Sequence, residues 1–381
     1  MFVSLVRIDA NFSFSSLSDS FQQGIPAKAL RYVWLPQEAY PLEEFQVLGN
    51  RGHERQSVTG ATGFIGSHIV YQLLAKKIKV RAVVRSAAKM KSIFPDAGAE
   101  LDIVELHSLL DDHDEALKGV SAVIHTALPA FFKGANTEET FKGAYEGTLN
   151  IVNQAIATGV KKIIVTGTAM NLFNSNFEGA YGTKVLTDKD FGSVELKDIN
   201  LAEMEPFAMY QAAKTVADKK LRDLSHKHPN VDFTMRERSR DLGLWANSAP
   251  TPFVYGLIAG GPDGPNTYPA LNPGHVVDIR DVAKAHVLAL DAPAVAGRYK
   301  RMIINTSTFK WKDAVEAIRK AHPELEERLP SADAVPPAQT DAPMDTSSAS
   351  EVLEWKERIP WEASMVAAIE VCLEHERRFK A

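Results

Sequence analysis

Among 381 residues there is a single cysteine, Cys372. That excludes an intramolecular disulfide and suits a reducing compartment. Cys372 is expected to pack within a C-terminal helix rather than react. No apolar run reaches the roughly 18 residues of a membrane span. The opening, MFVSLVRIDANFSFSSLSDS, lacks the positive n-region and long apolar core of a secretory signal. A soluble cytoplasmic protein with no membrane partner is the expectation. Basic residues are not in surplus: 43 Lys and Arg stand against 48 Asp and Glu, a net charge of -5. With no basic cluster either, nucleic-acid binding has no support. Metal-ligand spacing and internal repeats are also missing. Apolar residues, at 45%, are plentiful enough to bury a large core in two lobes.

The stretch that organises the chain is 58–85, VTGATGFIGSHIVYQLLAKKIKVRAVVR. Three glycines, Gly60, Gly63 and Gly66, are spaced G-x-x-G-x-x-G after a strand. They open a helical run with Ile65, Ile69, Leu73 and Leu74 on one face, and a β-branched strand follows. This is the βαβ pattern that binds a dinucleotide, with its pyrophosphate at the helix start. The acid that would accept from an unphosphorylated ribose about 20 residues on is lacking. Arg85 stands there, a planar fork of donors suited to a phosphate. Lys89, one helical turn later, adds a second positive charge, so NADP(H) is favoured over NAD(H).

In chain order, residues 1–56 read as an irregular leader, 57–250 as mainly the NADP-binding domain, and 251–381 as mainly a smaller substrate lobe. Residues 275–308 are expected to return to the main sheet. The predicted fold class is α/β, a Rossmann-type doubly wound parallel sheet. The first strand poses a difficulty, because a central strand should be nearly all apolar. Gly52-His53-Glu54-Arg55-Gln56-Ser57 makes a poor one. Joining Val47-Leu48 to Val58-Thr59 would restore it, so 49–57 is expected to be an insertion, in the manner of a misassigned intron. The strand SAVIHTALP carries His125, read as a packed, hydrogen-bonded core histidine. Phe131 and Phe132 follow it, on a substrate pocket or in the core.

Two further stretches carry chemistry. The strand KIIVT ends in Gly167-Thr168, where a hydroxyl at the crevice can hydrogen-bond a reacting carbonyl oxygen. Tyr210 and Lys214, in YQAAK, share one helix face. A neighbouring ammonium favours the phenolate, lowering the ordinary tyrosine pKa near 10 and fitting the pair for proton relay.

Together TGATGFIG, VVRS, VIHTALP, YQAAK and VDIRDVAKAHVLAL resemble an extended short-chain dehydrogenase/reductase, most like the dihydroflavonol-reductase-like group. That group includes cinnamoyl-CoA reductases and fungal methylglyoxal-type aldehyde reductases. The resemblance covers about residues 58–380 and implies roles position by position. Gly60, Gly63, Phe64, Ile65 and Gly66 would hold the pyrophosphate, and Arg85 and Lys89 the 2′-phosphate. Tyr210 would protonate the substrate oxygen, and Lys214 would bind the nicotinamide ribose. Thr168 would take the position usually held by Ser. Two departures stand out. Leu106-His107 replaces an Asp-Leu pair that contacts adenine. MRERSRDLGLWANSAPT (235–251) is a surplus of about a dozen residues, read as a probable insertion beside the nicotinamide site. Phe132 and Tyr255 are candidate substrate-lining residues, and Asp281 a candidate helix cap.

The expected activity is NADPH-dependent reduction of an aldehyde or ketone with an apolar or aromatic body. An epimerase or a hydroxysteroid-type dehydrogenase fits the same scaffold. A non-catalytic NADP-binding sensor would follow if the insertions spoil the site. Substrate identity and oligomeric state are not written in these motifs.

Overall fold

The computed structural model describes residues 54–128, 136–238, 252–259, 268, 274–294, 298–334 and 340–380. Its main sheet is built from β1 (Arg55–Thr59), β2 (Lys79–Val84), β3 (Leu101–Glu105), β4 (Val120–His125), β5 (Lys162–Thr166), β6 (Asp232–Arg238) and β8 (Lys300–Ile304). Every pairing is parallel, in the order β3-β2-β1-β4-β5-β6-β8. The order reverses beside β1, so the crevice opens where β1 and β4 part, outside the carboxyl ends of the strands. This is the doubly wound α/β sheet that the sequence predicts.

Helices cover both faces. On one lie α1 (Phe64–Ala75), α8 (Ile279–Leu288) and α10 (Ser347–Leu353). Their apolar stripes close a core that includes Val58, Ile69, Leu73, Ile124, Ile164, Val282, Met302 and Trp355. The other face is covered by α5 (Gly147–Ala157) and α6 (Pro206–Lys227), packed on Val123, Ile163, Phe233 and Met235. Between β2 and β3 runs α2 (Ala87–Ile93), and a short α3 (Asp114–Leu117) precedes β4. The helix α4 (Thr137–Phe141) enters α5 through a π turn, Lys142–Glu146. A separate apolar cluster joins α7 (Pro252–Ala259), α9 (Trp311–Ala321) and α11 (Trp361–Lys380), with Cys372 buried in it as expected. Burial raises that thiol's pKa, which disfavours the reactive thiolate.

Several expectations need correction. β1 begins at Arg55, so Arg55, Gln56 and Ser57 are strand residues rather than the end of an inserted 49–57 segment, and a boundary at 56/57 would cut the strand. A polar residue survives here because it is satisfied across the sheet: Gln56 Nε2 donates to Ser121 Oγ at 2.9 Å. Likewise Met235–Arg238, taken as the start of the 235–251 surplus, is the in-register second half of β6. Residues 239–251 lie outside the described residues, as do 1–53. Within 275–308, only β8 and the covering α8 rejoin the main sheet. The short β7 (His275–Val276) pairs antiparallel with β9 (Ser307–Thr308) in a sheet of its own. The cap of α8 is Asp278, which accepts from Arg280 N at 2.8 Å; Asp281 sits in the first turn and accepts from Ile359 N instead.

Candidate active site

The glycine turn connects β1 to α1. Gly60 has a φ of +70°, and a Cβ there would lie 2.8 Å from Ala127 Cα. At Gly66 a Cβ would fall 2.2 Å from the Gly60 carbonyl oxygen, so helix and turn touch backbone to backbone. Gly63 is the N-cap of α1. It contributes no side-chain cap, and the first turn holds no acid, which leaves the positive helix end open to an anion. Phe64 lies edge-on to His68, while Ile65 is buried in the core, so its backbone is what it can offer a phosphate.

β2 delivers Arg85 to the same edge. Its side chain is exposed and makes no hydrogen bond or ion pair among the described residues. Beside it Ser86 caps α2 by accepting from Lys89 N at 3.2 Å, which puts Lys89 on the turn next to Arg85. By contrast Arg81, earlier in β2, is buried and fully engaged with Asp102 and with the carbonyls of Glu115 and Lys118. An open cationic end, an uncapped helix start and a close-approach glycine turn suit a 2′-phosphorylated dinucleotide. At the end of β3, Leu106 is half-buried and His107 exposed, and neither supplies a carboxylate toward an adenine.

The candidate reacting groups gather against β5. α6 starts at Pro206 after Glu205 and runs 22 residues. It is buried all round from Met209 to Asp218, Tyr210, Gln211, Lys214, Thr215 and Asp218 included. Lys214 Nζ donates to the Thr166 carbonyl at 2.8 Å. Gln211 Nε2 donates to the carbonyls of Met170 and Phe173 at 2.7 and 2.8 Å. These bonds clamp the Tyr210–Lys214 turn onto residues 166–173, which carry Thr168. Thr168 caps a 3₁₀ turn (Ala169–Leu172), its Oγ accepting from Met170 N at 3.4 Å. The hydroxyl proton is not used by that bond and can be donated. Tyr210 and Thr168 are each 8% exposed, a screened site with little bulk water.

His125 behaves as the sequence reading expects. It is buried between Thr59 Oγ1 at 2.7 Å and Thr148 Oγ1 at 3.2 Å. Burial, followed by the Lys214 and His113 charges, pushes its pKa down to about 3, so it stays neutral. Phe131 and Phe132 lie outside the described residues. Tyr255, expected on the substrate wall, turns its hydroxyl to Glu376 Oε1 at 3.1 Å in the helical lobe, where Arg328 also grips Glu376. Burial first, then Glu376, pushes its pKa up to about 12. The structure does not join it to the Tyr210 pair. Sequence reasoning missed a buried polar cluster behind Thr168, made of Asn171, Asp218, Glu237, Tyr299 and Arg301. One signal was available: Asp218 lies four residues after Lys214, on the Tyr210–Lys214 face.

Comparison with known proteins agrees with this geometry. Residues 60–234 match a family described as NAD(P)H-binding. A Candida albicans protein named for NADPH-dependent methylglyoxal reduction (GRP2) is 30% identical over 75% of this chain and 87% of its own length. Aldehyde reductase 2 of Sporidiobolus salmonicolor is 28% identical over 80% of this chain and 91% of its own. The crystal structure of yeast methylglyoxal/isovaleraldehyde reductase Gre2 complexed with NADPH superposes with a TM-score of 0.73 at 20% identity. It covers 85% of this chain and 99% of that one, a likeness that speaks for the fold. The chain belongs to the extended short-chain dehydrogenase/reductases, in their dihydroflavonol-reductase-like group. It is an NADP-dependent oxidoreductase of carbonyl and alcohol groups. No helix among the described residues is long and apolar enough to cross a membrane.

Proposed function

We propose that the protein is an NADPH-dependent carbonyl reductase for small aldehydes or ketones, with Tyr210 as proton donor. The observation that carries this reading is the clamp of the Tyr210–Lys214 turn against Thr166–Phe173 at the carboxyl end of β5. Gly60, Gly63, Gly66 and the α1 N-terminus would hold the pyrophosphate, with Phe64 and Ile65 contributing backbone N–H groups. Arg85 and Lys89 would hold the 2′-phosphate. Bound NADPH supplies a hydride to the carbonyl carbon.

The chain's own residues supply the rest. As the C=O bond is reduced, negative charge grows on oxygen, and the Thr168 hydroxyl donates a hydrogen bond to it. Tyr210 passes its phenolic proton to that oxygen and completes the alcohol. The Lys214 ammonium, one turn along the same helix face, binds the nicotinamide ribose and favours the phenolate left behind. Proton and hydride together convert C=O to CH–OH, and the phenolate regains its proton from solvent after release. The division into an NADP-binding domain and a smaller C-terminal substrate lobe belongs to this same reading.

A sensor that only binds NADP would need neither the Tyr210–Lys214 pair nor a hydroxyl at Thr168. The test is stoichiometric. NADPH consumed and alcohol formed should rise one for one with aldehydes and ketones. An epimerase would change substrate configuration with no net cofactor use, and a sensor would bind NADPH without consuming it; either result would sink the reading.

A further inference from the structure

The strand ladder between β5 and β6 stops at Gly167, whose N–H donates to the Arg236 carbonyl at 2.7 Å. The next N–H along the chain, that of Thr168, goes to a side chain instead: Glu237 Oε2 accepts it at 2.8 Å. A glycine between them makes this possible, because a Cβ at Gly167 would stand 2.6 Å from that same carboxyl oxygen. The other oxygen, Glu237 Oε1, accepts from Asn171 Nδ2 and from Arg301 Nε, each at 3.2 Å. One carboxyl thus holds both Thr168, the cap of the 3₁₀ turn, and Asn171 within it.

A second carboxyl completes the arrangement. Asp218 lies on α6, two helical turns after Tyr210 and on the same face. It accepts from Arg301 Nε at 2.8 Å and from the Tyr299 hydroxyl at 2.5 Å, and the same Arg301 Nε bridges it to Glu237. Asp218 and Glu237 are wholly buried, and Arg301 is nearly so. Two carboxylates against one guanidinium would leave an unbalanced buried charge. Burial first, then the Asp218 charge, pushes the Glu237 pKa well above the ordinary carboxyl range, so the pair retains a proton. The groups facing Glu237 are Asp218 from α6, Arg301 from β8, Tyr299 just before β8, and Asn171 from the 3₁₀ turn.

An ordinary satisfied charge cluster would also look buried and well bonded. This one differs in what it joins. Its arms end on the two elements that carry the reaction, the Thr168 turn and the Tyr210 helix. We propose that Glu237 is a positioning residue for carbonyl reduction. By accepting the Thr168 N–H it fixes where the Thr168 hydroxyl stands, and through Asp218 it locks that turn at a set spacing from the Tyr210 helix. The inference rests on the reading of Thr168 as the group that binds the reacting oxygen.

The test is a double-mutant cycle on the full chain, reading kcat and the NADPH Kd separately for each variant. Glu237→Leu removes the acceptor. It should lower kcat by about 10–100-fold, the penalty for misplacing a catalytic group by a fraction of an ångström to one ångström. The NADPH Kd should stay within about twofold of wild type, because the glycine turn is remote from β6. Glu237→Gln keeps an acceptor for Thr168 and offers Asp218 a donor in place of the shared proton. It should restore kcat to within about threefold of wild type. In a Thr168→Ala background, Glu237→Leu should cause little further loss.

A loss that multiplies in full with Thr168→Ala would overturn the proposal while leaving the reductase reading intact. A Glu237→Gln chain as impaired as Glu237→Leu, with NADPH binding unchanged, would do the same. A Thr168→Ala enzyme as active as wild type would overturn the Thr168 assignment and this proposal with it. Should Glu237→Leu fail to fold, Gly167→Ala takes its place. Its Cβ displaces the carboxyl without removing any charge, and it should lower kcat in the wild-type background but not in Thr168→Ala. Wild-type kcat in Gly167→Ala would count against the proposal.

Discussion

On the β1–β2 side, the crevice is made of backbone and of Arg85, a cation unengaged among the described residues. Gly60 and Gly66 bring chain segments into direct contact, the α1 N-terminus is uncapped, and Arg85 stands exposed at the strand end. On the β5–β6–β8 side, charge is buried in and against the sheet: Asp218, Glu237 and Arg301 beside the Thr168 turn, Arg236 within β6, and Asp232 and Lys300 at the far, amino ends of β6 and β8. Lys300 and Lys162 both pair with Asp232, and Arg301 bridges Asp218 and Glu237. Arg236 is the extreme case. Among the described residues its Nη1 meets only the Met302 sulfur and its Nε and Nη2 have no hydrogen-bond partner, and burial pushes its pKa down to about 9. The first side is shaped to receive a ligand's charge. The second carries its own charge inside, beside the turn that bears Thr168. Changes on the first side should therefore read out in cofactor binding, and changes on the second in stability and turnover.

Arg301→Met gives the sharpest contrast. It leaves two buried carboxyls without their cation and should lower the unfolding free energy by about 3–5 kcal/mol. A fall in the urea midpoint with an unchanged slope would show this; an unaltered midpoint would mean the cluster is not load-carrying in the folded state. Gly66→Ala comes next. A Cβ 2.2 Å from the Gly60 carbonyl must part helix from turn, at about 3 kcal/mol, the upper end of overpacking effects. NADPH binding, followed by nicotinamide fluorescence, should be lost in the same variant.

Arg85→Ser should leave the melting temperature unchanged and weaken NADPH binding by about 10–100-fold, the worth of one or two charge-assisted hydrogen bonds. NADH binding should hold or improve, and an equal loss for both cofactors would break the assignment. The last effect is one of pH, at Asp281, whose pKa is pushed up to about 6, mainly by burial. The folded state holds that proton more tightly than the unfolded chain, where the carboxyl has its ordinary value of 3.8. The stabilisation is therefore complete below about pH 4 and lost as pH rises through about 6. Asp281→Asn should flatten the stability profile across that window, by about 3 kcal/mol at most. An unchanged slope between wild type and variant would dismiss Asp281 as its source.

The same contrast explains what the sequence could disclose. Glycine spacing, the cation at position 85 and the Tyr210–Lys214 interval are local patterns with a direct physical meaning, and they outline both the fold and the crevice. β1 and the end of β6 were misread because their polar residues find partners far along the chain. Gln56 is satisfied by Ser121, and Glu237 by Asn171 and Arg301. No local window reveals such pairings, so a buried strand containing Arg and Glu looks like surplus surface chain. Asp278 displaced Asp281 as the α8 cap for a similar reason: Asp281 is held by Ile359 N, 78 residues on.

The central claim is that Tyr210 protonates a carbonyl reduced with NADPH. The most direct test follows NADPH oxidation over a panel of aldehydes and ketones, for wild type and Tyr210→Phe, with the NADPH Kd measured for both. The account predicts turnover by wild type and a drop in kcat of about 10²–10⁴-fold in the variant, the usual worth of a positioned acid, at unchanged NADPH affinity. Equal turnover by both chains, or NADPH binding by wild type with no oxidation on any carbonyl, would contradict it.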